Sequence, residues 1–200
     1  MNEHVRLLAP TWLEYAAARA AVADVPVRHV GIGASNYRPE DQSPAIVCGL
    51  AGGLASNIEP GAVIIPDYIA DEAGTLTACD AELLDALRSG CRRAGFRFTS
   101  GVMLTGSHII TGNERSHWAD MGFMTADMET VNLARHVSRI ATVRVALDTV
   151  AHPISSEWTQ PRATLTPRLW RELLWLVTHA PQYALRAAVI VRYALRDLDP

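Results

Sequence analysis

Carboxylates that close apolar runs are the residues of this chain whose type and placement could do chemistry. Val143-Arg144-Val145-Ala146-Leu147-Asp148 is a near-continuous apolar strand with an acid as its last residue. Apolar surroundings raise a carboxyl pKa, so Asp148 could hold a proton at neutral pH and deliver it to a leaving group. An aspartate capping a loop turn fits the same pattern. Asp127-Met128-Glu129 marks the change from a run ending near Ala126 to a helical stretch. Glu129 is placed there to accept two hydrogen bonds from a vicinal diol, with Met128 packed on the apolar face of a sugar ring. These acids would equally complement the first turn of a helix.

Two glycine-rich turns could bring backbone against a ligand. Gly31-Ile32-Gly33 follows an apolar run and exposes N–H groups that could hold an anion or a sugar hydroxyl, or could simply form a tight turn. It is no dinucleotide fingerprint, because Asn36 stands in place of the third glycine and no helix is expected after it. Cys48-Gly49-Leu50-Ala51-Gly52-Gly53-Leu54 ends a run in small residues, which admits either a ligand or a packing helix.

The elements that must position these residues follow from hydrophobic patterning. Apolar runs at 5–9, 27–32, 45–50, 62–65, 96–104, 121–125 and 141–147 alternate with helical patterns at 12–22, 80–94, 113–119 and 129–137. That rhythm predicts an α/β sheet. The second helix is the best bounded, with Asp80 as its cap, Leu83, Leu84 and Leu87 as its stripe and Gly95 as its stop. Residues 35–44 (SNYRPEDQSP) read as a loop, 151–166 as irregular, and 167–178 and 181–198 as two helices divided at Pro181. The 200 residues form a single domain in this reading, because a tail of about 35 helical residues buries too little surface to stand alone.

Composition removes several classes of function. All 18 basic residues are arginine, which excludes a Walker lysine, a Schiff-base lysine and a lysine general base. A net charge of -3 without an arginine-rich tract argues against a nucleic-acid partner. Three cysteines without CxxC spacing predict reduced thiols in the cytoplasm. The seven histidines show no paired ligand spacing, so no metal is expected, and no GxSxG elbow is present. No apolar stretch is long enough for a signal peptide or a membrane span.

Glu14 after the first strand, then Gly31-Ile32-Gly33, the small-residue run at 48–54, Asp127-Met128-Glu129 and Asp148 form an ordered set. That set resembles the purine and uridine nucleoside phosphorylase superfamily, which includes the methylthioadenosine/adenosylhomocysteine nucleosidases and futalosine hydrolases. The resemblance covers about residues 6–150. Less specifically, the tail is similar to the ends of hopanoid-associated phosphorylases.

The resemblance implies a three-layer α/β fold with a mixed central sheet flanked by helices, a homo-oligomer, and no cofactor beyond inorganic phosphate as a phosphorylase's co-substrate. It implies that Glu129 holds the ribose 2′ and 3′ hydroxyls, Met128 packs on the sugar and Asp148 assists departure of the base through N7. Glu14 matches the acid that positions water in the nucleosidase branch. Gly33, with Arg38 nearest to it in sequence, would lie at the phosphate or nucleophile site, with Arg115 and Arg144 as weaker candidates; Arg144 could instead point into a packed face or pair with an acid. Ala51, Gly52, Asp127 and Ser107 would line the pocket. The chain departs from the pattern at Leu147, where relatives have serine, at Ala62, and in the short 35–44 segment.

The expected reaction is cleavage of a purine nucleoside's N-ribosidic bond, by phosphorolysis in preference to hydrolysis and with a hopanoid-linked adenosyl substrate in view. A catalytically impaired nucleoside binder is the alternative from another class. The aromatic and arginine residues of the tail suit either weak contact with a membrane surface or ordinary packing.

Overall fold

The computed structural model describes residues 5–22, 24–34, 37–38, 41–155 and 169–198. Its elements are, in chain order, β1 (Arg6–Ala9), α1 (Trp12–Ala21), β2 (Val27–His29), β3 (Ala45–Gly53), β4 (Val63–Ile64), β5 (Tyr68–Asp71), β6 (Leu76–Ala78), α2 (Ala81–Arg93), β7 (Phe98–Thr99), β8 (Val102–Thr105), α3 (Gly112–Asp120), β9 (Phe123–Asp127), α4 (Thr130–Ala134), β10 (Ile140–Asp148) and α5 (Trp170–Leu198).

The aliphatic runs become strands because both faces of most of them are covered, which rewards continuous apolar sequence over alternation. They join one ten-stranded mixed sheet in the order β6-β5-β8-β9-β3-β10-β4-β7, with β1 pairing β2 and β3 beside that path. The nine-residue β3 is the hub. It runs parallel to β1 and β10 and pairs antiparallel with β9 at its far end. The register sets Gly52 beside both Asp148 and Ala126, and Thr105 of β8 beside Asp127. Four strand ends therefore converge on one place, where the chemistry-bearing residues lie.

Helices flank the sheet. α1, α2 and α5 pack together, and α5 also lies on β3 and β10. α2 begins as the sequence predicts, with the Asp80 side chain accepting from Leu83 N at 3.0 Å. Its Gly90 permits close crossing, because a methyl there would lie 2.6 Å from the carbonyl oxygen of Ile190.

Four elements differ from expectation. Residues 96–104 form two strands, since the chain turns at Gly101 with φ +146°. The β5–β6 hairpin was not anticipated; its turn is held by Asp71, which accepts from Ala73 N and Thr75 N. Helix 129–137 shortens to Thr130–Ala134. The helical tail is one helix, not two. Pro181 sits on its exposed side, where a carbonyl freed by the missing N–H can meet water, while Ala184, Ala187, Ala188 and Val191 are buried and the helix continues through the proline. Of the predicted loop, residues 35–36 and 39–40 lie outside the described residues, and 37–38 and 41–44 are irregular; of the predicted irregular stretch and helix start, 156–168 lie outside.

The three cysteines are buried and unpaired, and burial pushes the thiols of Cys48 and Cys79 up to about 12, so neither is a nucleophile at neutral pH. No helix among the described residues is long and apolar enough to cross a membrane.

Candidate active site

The first acid is fixed by a local capping motif. Thr11 caps α1, its hydroxyl accepting from Glu14 N at 3.3 Å, while Oε2 of Glu14 accepts from Thr11 N and Thr11 Oγ1 at 2.7 Å each. Oε1 accepts from Leu50 N at 2.6 Å, which ties the helix start to β3. Glu14 is 3% exposed, and it reaches β3 only because Gly49 has no side chain: a methyl there would run into its carboxyl group and lie 2.9 Å from Arg144.

The second acid stands on a buried ionic cluster. Arg144 on β10 is fully buried and pairs with Asp127, donates to Thr130 Oγ1 at 2.9 Å and lies 3.7 Å from Glu129. Asp127 also accepts from Thr105 Oγ1 at 2.7 Å and from the Thr130 hydroxyl and N–H. It is thereby committed to starting α4, the structural reading of this acid. Glu129 differs, because its Oε1 accepts from Gly33 N at 3.0 Å and its carboxyl faces the cavity. Burial and the neighbouring Asp127 push the Glu129 carboxyl up to about 7, against the pull of Arg144, whose closest acidic partner is Asp127.

The third acid, Asp148, closes β10. Its Oδ1 would lie 2.7 Å from a methyl on Gly52, so this glycine clears its place as Gly49 clears that of Glu14. Asp148 forms an ion pair with Arg115 of α3, whose side chain is 5% exposed. Burial pushes the Asp148 carboxyl above its ordinary range, and the Arg115 guanidinium opposes that rise without cancelling it.

All three acids line one cavity of about 260 Å³. Ala51, Gly52, Asp127 and Met128 line it too, so seven of the ten residues singled out in the sequence share one space. Gly33 touches it indirectly, through the bond to Glu129. Ser107 does not line it; its N–H and hydroxyl both donate to Glu72. Arg38 lines a different cavity and donates to the Tyr37 carbonyl at 2.7 Å.

The sequence reading did not anticipate Leu54, Ile110 and Ile154 as walls, nor the site-facing His108, whose imidazole pairs with Glu114 at 2.9 Å and is pushed upward by that bond. It also missed that Arg115 serves an acid, whereas the alternative it kept for Arg144, pairing with an acid, is the one found. Arg144 had a legible signal, since an arginine within a doubly covered strand must meet a buried carboxylate. Among the described residues no group of three His, Cys, Asp or Glu stands close enough to hold a metal.

Such an arrangement can bind a diol at an ionisable carboxylate and protonate a leaving group from a second, desolvated one. Residues 44–164 match the sequence model of the phosphorylase superfamily. Among curated proteins none matches the chain in sequence.

The fold is similar to a Helicobacter pylori methylthioadenosine nucleosidase mutant solved with 5′-methylthioadenosine in its active site, at 11% identity and TM-score 0.71, covering 98% of this chain and 100% of that one. The Neisseria meningitidis 5′-methylthioadenosine/S-adenosylhomocysteine nucleosidase gives 14% identity, TM-score 0.71 and coverage of 98% and 99%. Futalosine hydrolase of H. pylori gives 11%, 0.70, and 98% and 99%. At these identities the likeness is one of fold.

Proposed function

We propose that this chain, which belongs to the phosphorylase superfamily, hydrolyses the N-ribosidic bond of a purine nucleoside. In this reading Glu129 holds the ribose hydroxyls with Met128 against the sugar, Asp148 protonates the base at N7, and Glu14 orients water. The C1′–N9 bond breaks and a C1′–O bond forms, the base leaving with the Asp148 proton while Glu14 takes the proton of the attacking water. Positive charge developing on the sugar is met by Glu129, and negative charge on the base by Asp148.

The observation that supports water over phosphate is the charge of the cavity. Glu14, Asp127, Glu129 and Asp148 line it, and no arginine does among the described residues. A like charge about 4 Å away near a protein surface costs roughly 4 kcal/mol, so a phosphate dianion beside the Glu14 carboxylate, with no arginine lining the cavity among the described residues to offset it, is repelled where neutral water is not. The expectation of phosphorolysis leans on the tail's likeness to hopanoid-associated phosphorylases, and it needs a cation at the site, for which Arg38, Arg115 and Arg144 are the candidates. The first lines another cavity and the other two are engaged with Asp148 and Asp127.

Incubation with adenosine-type nucleosides, with and without phosphate, and chromatography of the free base test this. Base release independent of phosphate is expected. Phosphate-dependent release would restore phosphorolysis, and tight binding without release would identify the impaired binder that Leu147 at the cavity wall suggests.

The pH profile gives a second test. A diol is best held by the Glu129 anion, and the carboxyl titrates at about 7, so kcat/KM should fall about tenfold per pH unit on the acid side of that value. Glu129→Gln should lower kcat/KM and flatten this limb; an unchanged acid limb in the variant would assign it to another group.

A lipid-linked substrate is a second reading, supported by Trp170, Leu174 and Val177, which form an exposed apolar stripe on α5 at helical spacing. Retention on liposomes in flotation would carry it. Assembly into a homo-oligomer is likewise proposed, and molar mass in solution decides it.

A further inference from the structure

A second cavity, of about 620 Å³, adjoins the carboxylate-lined one and has the opposite character. Arg28 and Arg38 line it together with Trp12, Tyr15, His29 and Tyr37, and no acid does among the described residues. The two spaces meet along two short segments: Thr11 and Ile32 line the first, and their chain neighbours Trp12 and Gly31 line the second. Gly33, which donates to Glu129, continues the Gly31–Ile32 segment, so the ribose end of the first cavity is the end that borders the second.

Two further features point to a ligand. Tyr37 is only 8% exposed, yet its hydroxyl has no hydrogen-bond partner among the described residues. A buried, unpaired phenol is destabilising, and an acceptor entering the cavity would remove that cost. Trp12 is 70% exposed and stacks on His29 at 4.1 Å with rings 16° apart, a flat aromatic wall at the border between the cavities. The first cavity, at about 260 Å³, lies below the ≈ 300–1,000 Å³ that drug-sized ligands fill, so anything larger than the nucleoside itself must extend out of it.

We infer that the Arg28–Tyr37–Arg38 cavity binds an oxyanion, a phosphate or carboxylate group, carried on the 5′ substituent of the nucleoside. The inference rests on the proposed hydrolysis for the placement of ribose at Glu129, and it names the class of substrate: a purine nucleoside with an anionic 5′ arm. Guanidinium groups supply charge-assisted hydrogen bonds to such a group, and the Tyr37 hydroxyl a third donor.

Calorimetric titration with adenosine and with adenosine 5′-monophosphate at low salt tests it, on the whole chain and on the variants Arg28→Met/Arg38→Met and Tyr37→Phe. The readout is the ratio of the two affinities measured on the same sample, which a poorly folded variant does not counterfeit. The monophosphate should bind at least about tenfold more tightly, the ratio falling to near one in the double variant and several-fold in Tyr37→Phe, since that variant loses one of three donors and keeps both guanidinium groups.

Equal affinities, or a ratio unaltered by the arginine substitutions, would overturn the inference. So would tighter binding of a 5′-alkyl nucleoside than of the monophosphate, or inorganic phosphate accelerating base release in a manner lost in the double variant, which would give the cavity to the free ion. Base release is scored in parallel. Preference for the anionic arm without release sustains this subsite and defeats the hydrolysis, while release without preference does the reverse.

Discussion

Asp148→Asn is expected to lower turnover by about 10²- to 10⁴-fold, the usual loss when a proton donor is removed from the transition state, while nucleoside affinity stays within a few-fold. Asparagine keeps the shape of the side chain and can still face the base, but it has no acidic proton to give. The buried pair with Arg115 complicates the experiment in a useful way. Leaving the guanidinium without its anion should also cost stability, because an uncompensated buried charge is worth about 3–5 kcal/mol.

The double substitution Arg115→Met/Asp148→Asn separates these effects, since it removes the pair as a whole. Melting temperature should recover in it relative to the single variant, and turnover should not. Full turnover in Asp148→Asn would remove the residue from the reaction. Recovery of turnover along with stability would make its role one of folding.

Arg144→Met is expected to be the most damaging substitution for the fold. The arginine is fully buried, and the acids it serves, Asp127 and Glu129, have side chains 1% and 8% exposed. Its removal should cost about 3–5 kcal/mol, a large share of the roughly 5–15 kcal/mol that holds a domain together. For a chain of this size that lowers the melting temperature by about 6–20 °C.

The loss should depend on pH with a definite sign. Without the arginine the Glu129 carboxyl, already pushed up by burial, holds its proton still more tightly folded than unfolded, and such a group contributes stability at low pH that disappears as pH rises through the folded pKa. The deficit should therefore be smaller at about pH 5 than at about pH 8, as thermal melts across that interval would reveal. A deficit independent of pH would mean that the arginine acts through packing alone.

The acids were legible in the sequence because each stands at an end of an element, and an element's end is marked by a change in composition. Asp148 closes an apolar run, 141–147, interrupted by Arg144, and Glu14 sits three residues after a threonine at a helix start. Fold class was legible for the same reason, since continuous aliphatic runs with helical patterns between them leave few alternatives to a covered, largely parallel sheet.

What the sequence concealed depends on contacts between residues distant along the chain. Gly49 reads as a packing glycine, and only Glu14, 35 residues earlier, explains it. Arg38 stands near Gly33 in sequence but faces another cavity, because the polypeptide turns through positive φ at Gly31, Gly33 and Ala34. Pro181 reads as a break, and the burial of Ala180 before it and of Tyr183, Ala184 and Ala187 after it overrides that reading. The β5–β6 hairpin did carry a local signal, Gly74 with φ +82° two residues after Glu72, but its strands are too short to show alternation.

The missing side chains of Gly49 and Gly52 make β3 a rail with two notches, each filled by a carboxylate that arrives from elsewhere in the molecule. Evolution or engineering that retunes what this protein accepts has no freedom at those positions, since any larger residue dislodges an acid before it reshapes the chamber. Diversification is channelled instead to the apolar walls, Ile32, Leu54, Ile110 and Ile154, whose side chains hold no proton and anchor no charge. Descendants with new tastes in substrate should keep the rail and differ at the walls.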